Sequence, residues 1–404
     1  MSTKIVIVGG GAAGFFTAAN CSKFNPKAEV IILEKSSKLL SKVKISGGGR
    51  CNVTNATYDI NKLIENYPRG GKELKNAFKI FSSKETVQWF EQRGVRLKTE
   101  EDERIFPVSD NSQTIIDCLL RESKAAGVKI LTEAGVIKIE NRNPGFNIHL
   151  RNDKIIECDK VLIATGGNPN SDSYNWLRSL GQTIHPPIPS LFTFNVPDNR
   201  LSGLQGIAVD AEVKIEGSKL KQQGPILITH WGFSGPAVIK LSAWAAEELH
   251  KTNYNFNISI NWVREKELAV RDEIEKYKEE HPKKLIISNP IVKVPRRLWE
   301  RLVELSGINN ETRWCDISKK SLNKLLEELV HGVYTVKGKT TFKEEFVTCG
   351  GVSLKEINFS TMESKICPGL YFAGEVLNID GVTGGFNFQA AWTTGYIAAK
   401  AMAE

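Results

Sequence analysis

The 404-residue chain contains no Cys-x-x-Cys pair: its seven cysteines, at 21, 51, 118, 158, 315, 349 and 367, are odd in number and widely scattered. That pattern excludes a disulfide framework and a cysteine-based zinc site, and it suits a reducing, cytoplasmic setting. Long hydrophobic runs are missing too. The first apolar stretch, KIVIVGG, is too short to span a bilayer and ends in glycine rather than a cleavage site, so it reads as a strand and not as an anchor or signal peptide. The six histidines are scattered and offer no metal-ligand cluster. No internal repeat or low-complexity tract is present. The charge excess is small, 54 Lys+Arg against 46 Asp+Glu, enough to favour anionic ligands but too diffuse to predict nucleic acid as a partner.

What is there begins with size: 404 residues, 41% of them hydrophobic, exceed what one core accommodates, so two or more folding units are expected. Lys4 to Val8 is a β-branched run, Gly9 to Gly14 interrupts it, a helix is expected from about Ala12 to Phe24, and VIILE follows at Val30 to Glu34. Strand, glycine turn, helix, strand closes only as a parallel crossover. Helical periodicity covers about 72–92 and 109–126, and 128–158 reads as a small antiparallel meander. HPPIPS at 185–190 marks a boundary, because clustered prolines are expected to stop regular structure. A β-rich segment follows at 190–262, then a Lys/Glu-rich helical one at 263–332, whose charges read as a solvated helix face. Strand-like, glycine-rich character returns from about Phe346 and ends in a helix.

Gly9-x-Gly11-x-x-Gly14 has the right neighbours: a strand before it, a helix after it, and Glu34 closing the next strand 20 residues beyond Gly14. Gly9 permits a tight turn, Gly11 lets backbone approach a pyrophosphate, and Gly14 lets the helix lie on the strand. Glu34 can accept hydrogen bonds from both ribose hydroxyls and would repel a 2′-phosphate, which leaves FAD or NAD as the dinucleotide. The carboxyl end chooses FAD. There a strand from Leu370 to Ala373 runs into Gly374-Glu375, and a helix is expected to begin near Gly385. Its first turn would face the negative charge of a reduced flavin near N1 and O2. In KISGGGRCNVTN, Gly47, Gly48 and Gly49 read as a cradle for the cofactor, with Arg50 adding a cation for pyrophosphate or flavin carbonyls. Cys51 has no partner thiol nearby, so it cannot cycle as an intramolecular disulfide; it is either a modulator beside the flavin or a buried, inert thiol.

These stretches carry a resemblance. GGGAAG with Glu34, KISGGGRCNVTN, ATGG at 164–167, THWGFSGP at 229–236, TCGGVSLKEINFSTMESK at 348–365 and LYFAGEVLNIDGVTGGFNFQAA are similar to the BaiN/RdsA family of bacterial NAD(P)/FAD-dependent oxidoreductases, some of them aminoacetone oxidase-like, over nearly the whole chain. The resemblance implies an α/β fold: a two-dinucleotide-binding, Rossmann-like FAD domain made of both chain ends, with an inserted β-barrel-like domain and a small helical domain. The expected division is 1–189 and 346–404 for the FAD domain, 190–262 plus about 333–345 for the barrel, and 263–332 for the helical insert. By that similarity Gly9, Gly11, Gly14, Glu34, Arg50, Val136, Thr165, Gly166, Gly374, Glu375 and Asn387 would line FAD, Val136 through its main chain. Ala13, Lys35, Gly48, Gly49, Cys51, Gly385 and Phe386 complete the expected set.

The expected function is transfer of a hydride or electron pair through flavin N5, with a small organic molecule reduced at the expense of NAD(P)H. No second complete Gly-x-Gly-x-x-Gly occurs, so NAD(P)H would visit the flavin transiently. The alternatives are an amine oxidase of the aminoacetone type using oxygen, and an RNA-acting flavoprotein, ranked lower because basic residues interleave with acidic ones. No catalytic residue is fixed. Cys51 and His230 are the candidates, His230 against the plainer reading of a turn histidine. Arg104 meets either an anionic substrate or a neighbouring carboxylate, and Phe386 and Phe388 either wall the flavin or pack in the core.

Overall fold

A computed structural model describes residues 2–340 and 347–404. The chain divides into two compact units, Met1–Ser190 with Lys343–Glu404, and Leu191–Phe342. The expected return strand at 333–345 and restart at Phe346 fall partly on residues 341–346, outside the described residues.

The first unit is built on a sheet whose parallel strands are β1 (Lys4–Val8), β2 (Glu29–Leu33), β3 (Lys129–Leu131), β4 (Lys160–Ile163) and β5 (Leu370–Phe372). Their order is β5-β4-β1-β2-β3, extended beyond β5 by the short antiparallel strands Glu363–Ser364 and Ile357–Asn358. KIVIV, EVIIL and KVLI are nearly continuous apolar runs, as strands covered on both faces must be, and the central ones are buried almost throughout. The register sets Val8 beside both Leu33 and Ile163, and Ile163 beside Phe372. The carboxyl ends of β2, β1, β4 and β5 therefore form one level edge.

Helices α1 (Ala12–Phe24) and α2 (Phe386–Ala403) pack on each other and join the chain's two ends. Small residues make the crossing close: a Cβ on Gly395 would sit 2.8 Å from Thr17 Oγ1. Phe16 of α1 is fully buried, its ring 4.5 Å from Trp89 and 5.1 Å from Trp392 of α2. The helical stretch at 72–92 is two helices, Gly71–Phe78 and Ser83–Glu91. Ser82 and Glu85 form a capping box that restarts the second. The meander comprises Val136–Asn141, Phe146–Leu150 and Ile155–Cys158.

HPPIPS corrects one expectation. Ile184–Pro189 is a strand, paired antiparallel with Thr348–Val352 and irregular between His185 and Ile188. Proline removes a donor, but a two-stranded ribbon tolerates this on its outer side.

In the second unit the sheet order is 332–337, 255–261, 208–215, 221–228, 232–234, 193–195, 339–340. Its two outermost strands are consecutive in the chain, joined through Gly338, whose C=O accepts from Asn195 N–H (3.1 Å). The sheet therefore curls on itself like a barrel. Helix Pro236–Lys251 lies against it, and helices Glu267–Glu280, Arg296–Leu305 and Lys319–His331 follow. Trp262, Trp299 and Trp314 are fully buried in this unit's core. No described helix is long and apolar enough to cross a membrane.

Candidate cofactor-binding site

The sheet's carboxyl edge, where open parallel folds hold ligands, gathers most of the residues nominated above. After β1 the chain turns so tightly that a Cβ on Gly14 would lie 2.0 Å from Gly9 O. α1 therefore starts directly at the strand end. Its first intrahelical bond runs from Phe15 N–H to Gly11 C=O (3.0 Å), so the N–H groups of Ala12, Ala13 and Gly14 lie ahead of the ladder, where an anion is favoured. A side chain at Gly11 would meet nothing within 4 Å.

Glu34 is the first residue past β2. Its Oε2 accepts Gly10 N–H (2.9 Å), and its Oε1 accepts Ser36 N–H and Oγ (2.9 Å each). These donors fix the carboxylate at the glycine turn and leave lone pairs for ribose hydroxyls. Ala134 N–H donates to Glu34 C=O (2.8 Å), which brings Val136 near Lys35; a Cβ on Gly135 would lie 3.6 Å from Lys35 Cβ. Past β4 come exposed Thr165 and half-buried Gly166, and past β5 Gly374 and Glu375. A Cβ on Gly374 would touch Ala13 at 3.0 Å. Glu375 Oε1 accepts Thr348 N–H (3.0 Å) and Oγ1 (3.2 Å), and its Oε2 accepts Lys42 Nζ (2.7 Å).

At the far end Gly385, left-handed at φ 95°, caps α2. The first backbone bond there is Gln389 N–H to Gly385 C=O (3.0 Å), so the N–H groups of Phe386, Asn387 and Phe388 precede the ladder. The Asn387 side chain is committed to the main chain of Gly381, accepting its N–H (2.9 Å) and donating to its C=O (2.8 Å). Phe386 is buried beside Tyr67, whose hydroxyl donates to Phe386 C=O (2.7 Å). Phe388 stacks on Trp392 with centroids 5.6 Å apart.

KISGGGRCNVTN splits into two working halves. Gly47, Gly48 and Gly49 are all left-handed (φ 57°, 68° and 84°), and side chains at Gly48 or Gly49 would meet open space. The second half is a buried strut for α2. Asn52, with its amide turned to satisfy both ends, accepts Gly385 N–H (3.0 Å) and donates to Thr54 C=O (2.9 Å). Val53 C=O accepts Trp392 Nε1–H (2.9 Å), Thr54 Oγ1 donates to Gln389 Oε1 (2.6 Å), and Asn55 Nδ2 donates to Gly384 C=O (3.1 Å). Nothing local in the sequence signals this tie; it links stretches more than 300 residues apart.

Other nominated side chains are placed differently. The Arg50 guanidinium pairs with Glu100 (2.6 Å) and Asp110 (3.5 Å) and stacks 4.0 Å above the Phe106 ring. Arg104 likewise meets Asp102 (2.7 Å) and Glu100 (3.3 Å). Cys51 is fully buried, and desolvation pushes its thiol up to about 12 despite a hydrogen bond with Ser46. His230 lies in the second unit, exposed at the tip between strands Lys221–Ile228 and Gly232–Ser234. Sequence reasoning missed Lys42, Thr348 and the pair of half-buried Arg69 with buried Asp380, which Ser190 joins.

Close backbone packing at Gly9 and Gly14, open space at Gly11, Gly48 and Gly49, and a fixed carboxylate at Glu34 together fit a bound dinucleotide. The family model described as HI0933-like protein Rossmann domain matches residues 3–401. The chain belongs to the HI0933-like Rossmann family. It is accordingly an FAD-dependent oxidoreductase. Over 411 residues it is 29% identical to a 3-dehydro-bile acid delta(4,6)-reductase of Clostridium scindens, covering 99% of each chain. It is also 29% identical to a ribosomal RNA dihydrouridine synthase of Escherichia coli, covering 98% of this chain and 96% of the relative. Among solved structures, a flavocytochrome c3 fumarate reductase in its open conformation aligns with a TM-score of 0.51 at 17% identity, over 100% of this chain and 78% of the other. A 3-ketosteroid-delta4-(5alpha)-dehydrogenase from Rhodococcus jostii gives 0.51 at 14%, over 100% and 97%. At such identities these two likenesses speak for the fold alone.

Proposed function

We propose that this HI0933-like protein reduces a carbon–carbon double bond conjugated to a carbonyl, with FAD as hydride carrier and NAD(P)H as its transient reductant. The observation that carries this reading is the equal, full-length similarity to two relatives whose names describe one bond chemistry on unlike molecules. A 3-oxo steroid with unsaturation at positions 4 and 6, and a uracil ring, each present a double bond polarised by a carbonyl. Bound there, FAD would supply the hydride to the β-carbon, with a solvent proton completing the α-carbon and hydride from NAD(P)H restoring the reduced flavin. The chain's share is to hold the adenosine end at Glu34, to seat phosphates at the α1 N-terminus, and to set the α2 N-terminus where negative charge is favoured. Cys51, held as a thiol, takes no electrons.

One observation favours a second reading of the substrate, a uridine within RNA. In the second unit Trp314 N–H donates to Lys284 C=O (3.0 Å) and Cys315 N–H to Pro282 C=O (2.9 Å), with Leu285 bridged to Arg313. Lys283, Lys284 and Arg313 are thus neighbours, all exposed, and none is ion-paired among the described residues. Residues 281–299 contain no acidic residue, a separation of charge hidden by the average composition. Such a cluster suits a phosphate backbone.

Anaerobic stopped-flow mixing with NADH or NADPH tests the donor, and reoxidation by a 3-oxo-Δ4 steroid or by a uridine-containing RNA tests the acceptor. Flavin bleaching followed by reoxidation with either is expected. Bleaching that neither reverses while oxygen does would overturn the reductase reading in favour of an oxidase.

A further inference from the structure

We infer that Lys42 is the cation facing the cofactor's pyrophosphate, and that Arg50 does not serve this role. Position comes first. Leu40 N–H donates to Gly10 C=O (2.9 Å), which anchors the segment Ser41–Gly49 over the glycine turn after β1. From there Lys42 reaches Glu375 beyond β5 (2.7 Å), while a Cβ on Gly166, beyond β4, would come within 4.0 Å of the same carboxylate oxygen. With strand order β5-β4-β1, the lysine spans the edge on which the open first turn of α1 lies.

Charge makes the same assignment. Glu34 and Glu375 already put two carboxylates on this edge, and a pyrophosphate adds two more negative charges. The α1 N-terminus offsets only part of that. Lys35 is exposed beside Gly135, at the end where Glu34 stands ready for the ribose. Arg50 pairs with Glu100 and Asp110 and stacks on Phe106, residues that lie outside the parallel sheet. Lys42, its side chain half exposed, brings a compact ammonium to the middle of the edge, the form of charge that suits phosphate oxygens. By holding Glu375 it also keeps that carboxylate from facing the phosphates as a bare anion.

The test measures FAD affinity of deflavinated protein by flavin fluorescence across a salt series, for wild type, K42Q, K42M, K42R and R50Q. K42Q and K42M are expected to bind FAD about tenfold more weakly, with a flatter salt dependence, and K42R and R50Q to stay within about threefold of wild type. Melting of the apo forms controls for misfolding, and an exposed lysine is not expected to alter it. E375Q separates direct from indirect action: a K42Q/E375Q protein weaker than either single variant supports a direct charge, and one no weaker than E375Q overturns it. K42Q binding like wild type, or R50Q losing more than K42Q, also overturns the assignment.

Discussion

Cys51 and Arg50 are adjacent, yet their side chains meet opposite conditions. Arg50 lies among carboxylates at the surface, and Cys51 has no exposed area. Burial raises the folded thiol from 9.0 to about 12, and Cys21 rises as far for the same reason, opposed weakly by Lys160. Because the folded value lies above the unfolded one, the thiols' contribution is fully present below pH 9 and is lost as pH climbs from 9 towards 12. At pH 10 each such thiol removes about 1.4 kcal/mol of stability. The fall in urea midpoint between pH 8 and 10 is expected to be smaller in Cys51→Ala than in wild type. Iodoacetamide at pH 8 is expected to leave Cys51 unmodified in the native protein; rapid alkylation detected by peptide mass spectrometry would contradict the buried placement. The sequence left Cys51 open between modulator and inert thiol, since a lone cysteine does not report its own burial.

At the scale of elements, local chemistry was legible and long-range pairing was not. β1, α1 and β2 follow from apolar runs and a glycine turn within 34 residues, and the structure places them within a residue of expectation. The strand at Ile184–Pro189 went unread because what makes it a strand is Thr348–Val352, far along the chain. The carboxylates that Arg50 meets, Glu100 and Asp110, went unread for the same reason, being folded in from elsewhere. The CNVTN strut is the clearest case. Asn52→Ala leaves Gly385 N–H without its acceptor where α2 begins, a loss of about 1–3 kcal/mol for a buried group. Thermal melting should show that loss, and FAD affinity should fall with it, because the capping turn would no longer be held. Undisturbed FAD binding in a destabilised N52A protein would mean that the strut supports the fold without setting the site. Gly395→Val probes the crossing itself. Its branched side chain would press on Thr17 Oγ1, 2.8 Å from the Cβ position, and about 1–3 kcal/mol of stability is expected to be lost through overpacking.

Across the whole molecule, the cofactor edge draws on residues near 9–14, 34–36, 164–167, 374–375 and 385–388, so the first unit is complete only when both chain ends are present. Among the described residues the second unit, Leu191–Phe342, contributes no strand to that sheet. A change confined to its surface can therefore be made without altering a described strand of the cofactor's sheet. That independence gives the RNA reading a sharp consequence. Reversing Lys283, Lys284 and Arg313 to glutamate alters exposed side chains without ion-pair partners among the described residues, so flavin content and bleaching by NAD(P)H should stay as in wild type. If these three cations neutralise phosphates, the slope of log affinity against log salt for a single-stranded uridine-rich RNA should shrink by about 2, since each contact contributes about 0.7. Reoxidation by RNA should slow in parallel, while reoxidation by a 3-oxo-Δ4 steroid is untouched. An unchanged slope with unchanged RNA reoxidation would detach the basic cluster from the substrate and leave the small conjugated ketone as the acceptor.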